Sequence, residues 1–213
     1  VPLVALDLDG TLIDQVRAAR LWAEEFGAQW HLPGDAIASV ASALGQRGPK
    51  DLVFERIVEE WSLPLSGASL WAAYRARMPH LVRCSPEDKE ALTDLRAAGW
   101  TLGIVTNGMA DNQEGKIRAS GLAALVDGWV VSSEAGVRKP DSRIFELLAQ
   151  RVDCELDGWM IGDSLEHDVL GGATAGLRTA WIAPLDTEAP AGSPAFNIRQ
   201  PSVAHAVAKI LSV

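Results

Sequence analysis

Only two cysteines occur in 213 residues, Cys84 and Cys154, and they stand far apart without metal-ligand spacing. A disulfide-stapled scaffold and a cysteine-built zinc site are set aside on that count, and the expectation is a pair of reduced thiols in a cytoplasmic protein. Histidine occurs only four times. His31, His80 and His205 share no ligand spacing, and His167 reads as a surface residue. No apolar run reaches the ~18 residues that cross a bilayer, and no basic segment followed by an apolar one opens the chain, so neither a membrane span nor a leader is expected. Dense basic runs are missing too. With 19 Lys and Arg against 28 Asp and Glu, the formal net charge is −9, which argues against nucleic-acid partners. An anionic ligand would need positive charge gathered locally. There is no internal repeat.

What remains is ordinary globular material, 48% hydrophobic and 22% charged, enough for one large domain or one domain with an insert. The chain is organised around Leu3-Val4-Ala5-Leu6-Asp7-Leu8-Asp9-Gly10-Thr11. Its apolar run reads as a buried parallel strand covered on both faces. Residues two apart on a strand share a side, so Asp7 and Asp9 are expected to face one site at the carboxyl end. Gly10 permits a sharp turn there.

From Asp14 to Cys84 the pattern is helical. Val16, Ala19, Ala23, Phe26 and Trp30 predict one buried face behind an Asp14 N-cap, and three further helices follow. Trp22, Trp30, Trp61 and Trp71 fall at helical spacing, which favours core packing over base stacking. The loop Gly45-Gln46-Arg47-Gly48-Pro49-Lys50 carries two cations that could select an anionic substrate group. After Ser85, helices and strands alternate. Ser85 with Pro86 and Asp88 predicts a capped start, and Asp111 with Glu114 another. Helices are also expected over Asp141 to Val152 and Leu165 to Ala175, and strands at 101–105, 129–131, 159–161 and 179–182. Thr187 to Pro201, rich in Pro, Ala, Gly and Ser, reads as a loop. The fold class is therefore α/β: a Rossmann-like parallel sheet of five strands with helices on both faces, carrying a small inserted helical bundle. The boundaries are 1–13 and 85–213 for the core and 14–84 for the insert, placed like a lid at the active edge.

Polar residues end three other segments: Thr106-Asn107-Gly108, Gly136-Val137-Arg138-Lys139-Pro140, and Gly162-Asp163-Ser164 with Asp168 beyond it. Parallel strands deliver their carboxyl ends to one edge, so these groups can converge. In that order, and over nearly the whole chain, they resemble the four motifs of the haloacid dehalogenase-like hydrolase superfamily. The insert matches the helical cap at that family's first insertion point. The resemblance implies that the first and fourth strands are neighbours, with Asp7 beside Asp163. It implies a phosphatase acting on a small phosphorylated metabolite, in which Asp7 is the nucleophile and Asp9 the general acid and base. Thr106, the Asn107 amide and Lys139 would hold the phosphoryl group. Four carboxylates meeting a phosphate dianion, each like pair near 4 Å repelling by about 4 kcal/mol at an effective dielectric of ~20, demand a divalent cation. An oxygen-only site favours Mg²⁺. Its ligands by resemblance are Asp7, the Asp9 carbonyl and Asp163, with Asp168 acting through water or Lys139. A sugar phosphomutase and a non-catalytic phosphate-binding protein are the alternatives. A dehalogenase is disfavoured because that branch lacks the acid at Asp9.

Overall fold

The computed structural model describes residues 1–45 and 50–212. The chain divides into two compact units, Val1–Ile13 with Cys84–Val213, and Asp14–Arg83. Cys84 and Cys154 are both free thiols, and burial pushes the Cys84 thiol up to about 12, so it is inert.

The unit Asp14–Arg83 contains α1 (Gln15–Trp30), α2 (Gly34–Gly45), α3 (Lys50–Glu60) and α4 (Gly67–Arg77). Asp14 caps α1 by accepting from the Arg17 N–H at 2.9 Å, as its place before the apolar stripe predicts. Ser66 does the same for α4 through the Ser69 N–H. Aromatic rings fill the centre. Trp22 stacks on Phe26 with centroids 4.9 Å apart and meets Phe54 and Tyr74 edge-on. Trp71 stacks on Phe54 and Tyr74. Trp22 is thus a core residue, while Trp30, Trp61 and Trp71 are half-buried, Trp71 packing its ring against the aromatic centre. Val16 departs from expectation. It is 67% exposed, because the buried stripe of α1 (Ala18, Ala19, Trp22, Ala23, Phe26) stops one turn short of it.

In the other unit, strands β1 (Leu3–Leu6), β2 (Thr101–Thr106), β3 (Gly128–Val131), β4 (Gly158–Gly162), β5 (Arg178–Ile182) and β6 (Ile198–Gln200) form one sheet. All pairs are parallel, in the order β3-β2-β1-β4-β5-β6. β1 is central and buried along its length, and its register with β4 (Leu6 opposite Ile161) brings the two carboxyl ends level. The strand ends at Leu6, earlier than the apolar pattern predicts. From there the chain coils tightly, with the Leu12 and Ile13 N–H groups both donating to the Leu8 carbonyl.

Parallel pairing requires crossovers, and these carry α5 (Pro86–Ala97), α6 (Ala110–Ala119), α7 (Ser132–Ala135), α8 (Arg143–Arg151) and α9 (Gly171–Thr174), while α10 (Val203–Leu211) follows the last strand. Leu3 and Ala5 point to the face packed by Ile144, Phe145 and Leu148 of α8, together with Val105, Val130 and Met160. Val4 and Leu6, being the alternate residues, point to the other face.

Several local expectations are corrected. The stretch 187–201 contains β6, a three-residue edge strand that starts after Asn197; the Asn197 carboxamide accepts from the Thr179 N–H at 2.7 Å. Ser85 caps α5, but Asp88 does not close the capping box: its carboxylate accepts from Ala204 N–H at 2.8 Å, tying the start of α10 to α5. Asp111 lies inside α6 rather than before it, accepting from the Asn112 N–H, and Met109 is the residue at the helix start. The helix after Pro140 starts at Arg143 because the Asp141 carboxylate turns back onto the Arg143 N–H and guanidinium. Finally, 165–175 is not one α-helix. It opens as a π-helical turn, Leu165–Leu170, in which the Val169 N–H reaches the Ser164 carbonyl, and only then becomes α9.

Candidate active site

The tight coil after β1 sends Asp7 and Asp9 to different partners. Asp7 is buried beside Lys139: Lys139 Nζ donates to Asp7 Oδ1 at 2.6 Å and to Asp168 Oδ1 at 2.6 Å, and the Thr11 hydroxyl donates to Asp7 Oδ2 at 3.2 Å. Asp163 completes the group, since Asp7, Asp163 and Asp168 offer carboxylate oxygens within 4.8 Å of one another. Gly10 lets this happen. Its φ is +86°, and a Cβ there would stand 2.6 Å from Asp163 Oδ2.

Burial, reinforced by the nearby Asp168 carboxylate and opposed by Lys139, pushes the Asp7 carboxyl up from 3.8 to about 6. Burial works against the Lys139 charge, yet Asp168 and Asp7 more than offset it and hold the ammonium above its ordinary range. Both directions have one cause. Several carboxylates share a single ammonium, so the lysine keeps its proton and a carboxyl is the group that gains one.

Supporting loops fix this arrangement. Lys139 is positioned by Asn107, whose side chain donates to the Lys139 carbonyl at 3.0 Å and accepts from the Lys139 N–H at 3.0 Å. Asp168 is held by the π-helical turn, with Oδ2 accepting from the Ser164 N–H at 2.8 Å. Gly162 leaves room for it, because a Cβ there would stand 2.4 Å from Asp168 Cγ. His167 is half-buried beside the Ser164 hydroxyl, 3.3 Å away.

Asp9 belongs to a second cluster, which the sequence reading missed. Lys116 Nζ, on α6 and buried, lies 2.9 and 3.1 Å from the two Asp9 oxygens. Gln113 Nε2 donates to Asp9 Oδ2 at 2.9 Å and to Thr106 Oγ1 at 2.6 Å, so Thr106 joins the group through Gln113. The missed signal is on α6 itself. Its buried residues are Asn112, Gln113, Lys116 and Ile117, an inward stripe that is polar where packing alone would call for apolar side chains. Trp181 is the other omission, its indole N–H donating to the Asp163 carbonyl at 3.0 Å. Among the described residues, the edge thus holds four carboxylates (Asp7, Asp9, Asp163, Asp168) and two ammonium groups (Lys116, Lys139). Of the two cations expected in the loop from Gly45 to Lys50, Arg47 lies outside the described residues, and Lys50 is not a loop residue but the first of α3, its Nζ donating to the Leu44 carbonyl at 2.7 Å.

Residues 1–176 match the family model described as haloacid dehalogenase-like hydrolase. The chain belongs to that family. Among similar proteins, a phosphoserine phosphatase from Thermus thermophilus is 33% identical over 193 residues, 83% of this chain and 74% of the relative. A glyceraldehyde 3-phosphate phosphatase from Methanothermobacter thermautotrophicus is 34% identical over 110 residues, 51% of this chain and 49% of that one. The magnesium-bound structure of the HAD-hydrolase YfnB from Bacillus subtilis shares the fold of this haloacid dehalogenase-like chain with a TM-score of 0.81, at 23% identity, covering 100% of this chain and 99% of that one.

Proposed function

We propose that this hydrolase cleaves small phosphate monoesters with Mg²⁺ through an aspartyl-phosphate on Asp7. By its family and its relatives the chain is a phosphoric monoester hydrolase; the proposal adds the metal, the intermediate and the residue roles. The observation that carries it is the division of the two carboxylates after β1. Asp7 sits in the Lys139, Asp163 and Asp168 cluster, and Asp9 sits apart from it on Gln113 and Lys116, beside Thr106.

The donor set fits a hard divalent cation. It consists of converging carboxylate oxygens against a Cβ-free Gly10, and four acids still outnumber two ammonium groups. Asp7, the Asp9 carbonyl and Asp163 would hold the ion, while Asp168, whose two oxygens already accept from Lys139 and Ser164, acts through Lys139. When bound, Mg²⁺ neutralises charge that the two lysines leave uncompensated.

The remaining steps belong to the chain. Lys139 and Thr106 orient the phosphoryl oxygens. Asp7 attacks phosphorus, and the ester bond breaks as Asp9 gives its proton to the departing alkoxide. Asp9 then takes a proton from the water that attacks the acyl phosphate, releasing phosphate and restoring Asp7. Lys116 and Gln113 keep Asp9 aimed throughout. Phosphate release from a panel of sugar, glycolate and nucleotide monophosphates, with and without Mg²⁺, tests the proposal. Isomerised product without free phosphate would instead mark a mutase.

Two outcomes are expected here. Activity should vanish in EDTA and return with Mg²⁺, and Asp163→Asn should raise the Mg²⁺ concentration for half-maximal rate by about tenfold or more, as removal of a charged ligand implies. Full turnover by the chelated enzyme would overturn the metal requirement. Substrate selection is assigned to Arg47 and Lys50. Arg47→Ala should then raise KM for the best panel substrate while leaving p-nitrophenyl phosphate unchanged, and an equal effect on both would remove the loop from selection.

A further inference from the structure

The hydrogen bonds of Gln113 carry a direction, and that direction reaches Thr106. Lys116 Nζ can only donate, and it lies 3.0 Å from Gln113 Oε1. The other end of the carboxamide therefore presents Nε2, with its two hydrogens, to Asp9 Oδ2 at 2.9 Å and to Thr106 Oγ1 at 2.6 Å. The reverse orientation would set Nε2 against an ammonium and Oε1 against a carboxylate, so Lys116 and Asp9 together fix the amide. The carboxamide is boxed in on a third side as well: a Cβ on Gly108 would come within 2.9 Å of Gln113 Cγ, so the residue two positions after Thr106 is one that leaves Gln113 its place.

A threonine hydroxyl has one hydrogen and accepts through its lone pairs. Because Thr106 Oγ1 accepts from Gln113, its own hydrogen must point elsewhere. We infer that Gln113 is a positioning residue that sets the polarity of the Thr106 hydroxyl, so that this buried group arrives as a ready donor to a phosphoryl oxygen, with Lys116 fixing the Gln113 amide. The inference rests on the proposed phosphatase reading, in which Thr106 faces the phosphoryl group. No reorientation of the hydroxyl is then needed when substrate binds, which is the preorganisation that makes a donor effective in the transition state. The same amide also links Thr106 to Asp9, so the phosphate-holding hydroxyl and the acid–base carboxylate are aligned by one side chain.

This polarity can be reversed. Gln113→Glu keeps the shape and still accepts from Lys116, but a carboxylate would accept from Thr106 and draw its hydrogen away from the ligand. Gln113→Ala merely frees the hydroxyl to rotate. The test is the affinity for inorganic phosphate, read as competitive inhibition of p-nitrophenyl phosphate hydrolysis and by titration calorimetry in Mg²⁺ buffer. Gln113→Glu, the closer isostere, should bind phosphate about tenfold or more weakly, in keeping with loss of a hydrogen bond to a charged group, and should do worse than Gln113→Ala. A structural role alone predicts the opposite order.

The negative charge that Gln113→Glu adds is separated from hydroxyl polarity by repeating the substitutions in Thr106→Val, which removes the hydroxyl at nearly constant volume. There the effect of Gln113→Glu should fall to within about threefold, the cycle isolating the pairwise contribution. If Gln113→Glu proves too unstable to assay, Gln113→Met carries the same cycle: a loss with Thr106 present that disappears in Thr106→Val. Gln113→Glu binding at least as well as Gln113→Ala, or an undiminished loss without the hydroxyl, overturns the inference and leaves the hydrolase reading standing. A wild-type protein that neither cleaves monoesters nor binds phosphate overturns both.

Discussion

Replacement of Asp7 by Asn is expected to abolish turnover and to leave no phosphorylated peptide to trap, because a neutral amide is a poor nucleophile. Asp9→Asn should behave differently. It retains the backbone carbonyl and loses proton transfer in both half-reactions, which is typically worth about 10²–10⁴-fold. With p-nitrophenyl phosphate the leaving group needs little protonation, so the deficit should fall on hydrolysis of the intermediate. Rapid quench should then find a burst of p-nitrophenol and label on Asp7. Label on any other residue would refute the assignment of the nucleophile.

The same substitution has a thermodynamic signature. Asp7 titrates at 3.8 unperturbed and at about 6 in the folded chain, chiefly through burial. Between those values the folded state holds more proton than the unfolded one, so stability from this group declines as pH rises, and above about pH 6 the cost is complete. The shift corresponds to ~3 kcal/mol. Asn carries no such cost. In EDTA at about pH 7.5, Asp7→Asn should melt at a higher temperature than the wild type, and the gap should narrow as pH falls through 6 towards 4. A gap independent of pH, measured by scanning calorimetry, would contradict this account.

Lys139→Met carries the second large effect. The ammonium is buried between Asp7 and Asp168 at 2.6 Å from each. Removing one member of a buried ion pair leaves charge uncompensated and typically costs about 3–5 kcal/mol. Here two carboxylates lose their partner together. The variant should melt far below the wild type in EDTA and should be unable to hold the phosphoryl group. Millimolar Mg²⁺, entering the same acidic cluster, should restore part of the stability without restoring turnover. Recovery of both would mean that Lys139 supplies only bulk charge; recovery of neither would mean that the cluster does not bind the ion.

Asp7, Lys139, Asp163 and Asp168 were legible because each stands at a strand end or a helix entry, where sequence pattern and topology coincide. The neighbouring of β1 and β4 came from the resemblance and is what the register shows. Gln113 and Lys116 were not legible in the same way. They lie on a helix at a spacing of three, and read one at a time they resemble solvated polar residues. Only the buried stripe they share with Asn112 and Ile117 distinguishes them. β6 was hidden because Ile198-Arg199-Gln200 is short, polar and half-buried, so it has no period to detect. Trp181 passed as one more apolar strand residue, since no pattern predicts which ring donates to the Asp163 carbonyl.

The placing of β1 between β2 and β4 has a further consequence. Leu3–Leu6 is hydrogen-bonded along both edges and buried throughout, whereas β6 at the margin is half-buried. In deuterated solvent the amides of Leu3–Leu6 should be among the last to exchange, through opening of the whole unit rather than local fraying. The helical insert is spliced into the chain at Asp14, just past this strand. Asp7, the residue that directly follows Leu6, is therefore carried by the strand expected to open least, and its place beside Lys139 is set by that strand rather than by a loop.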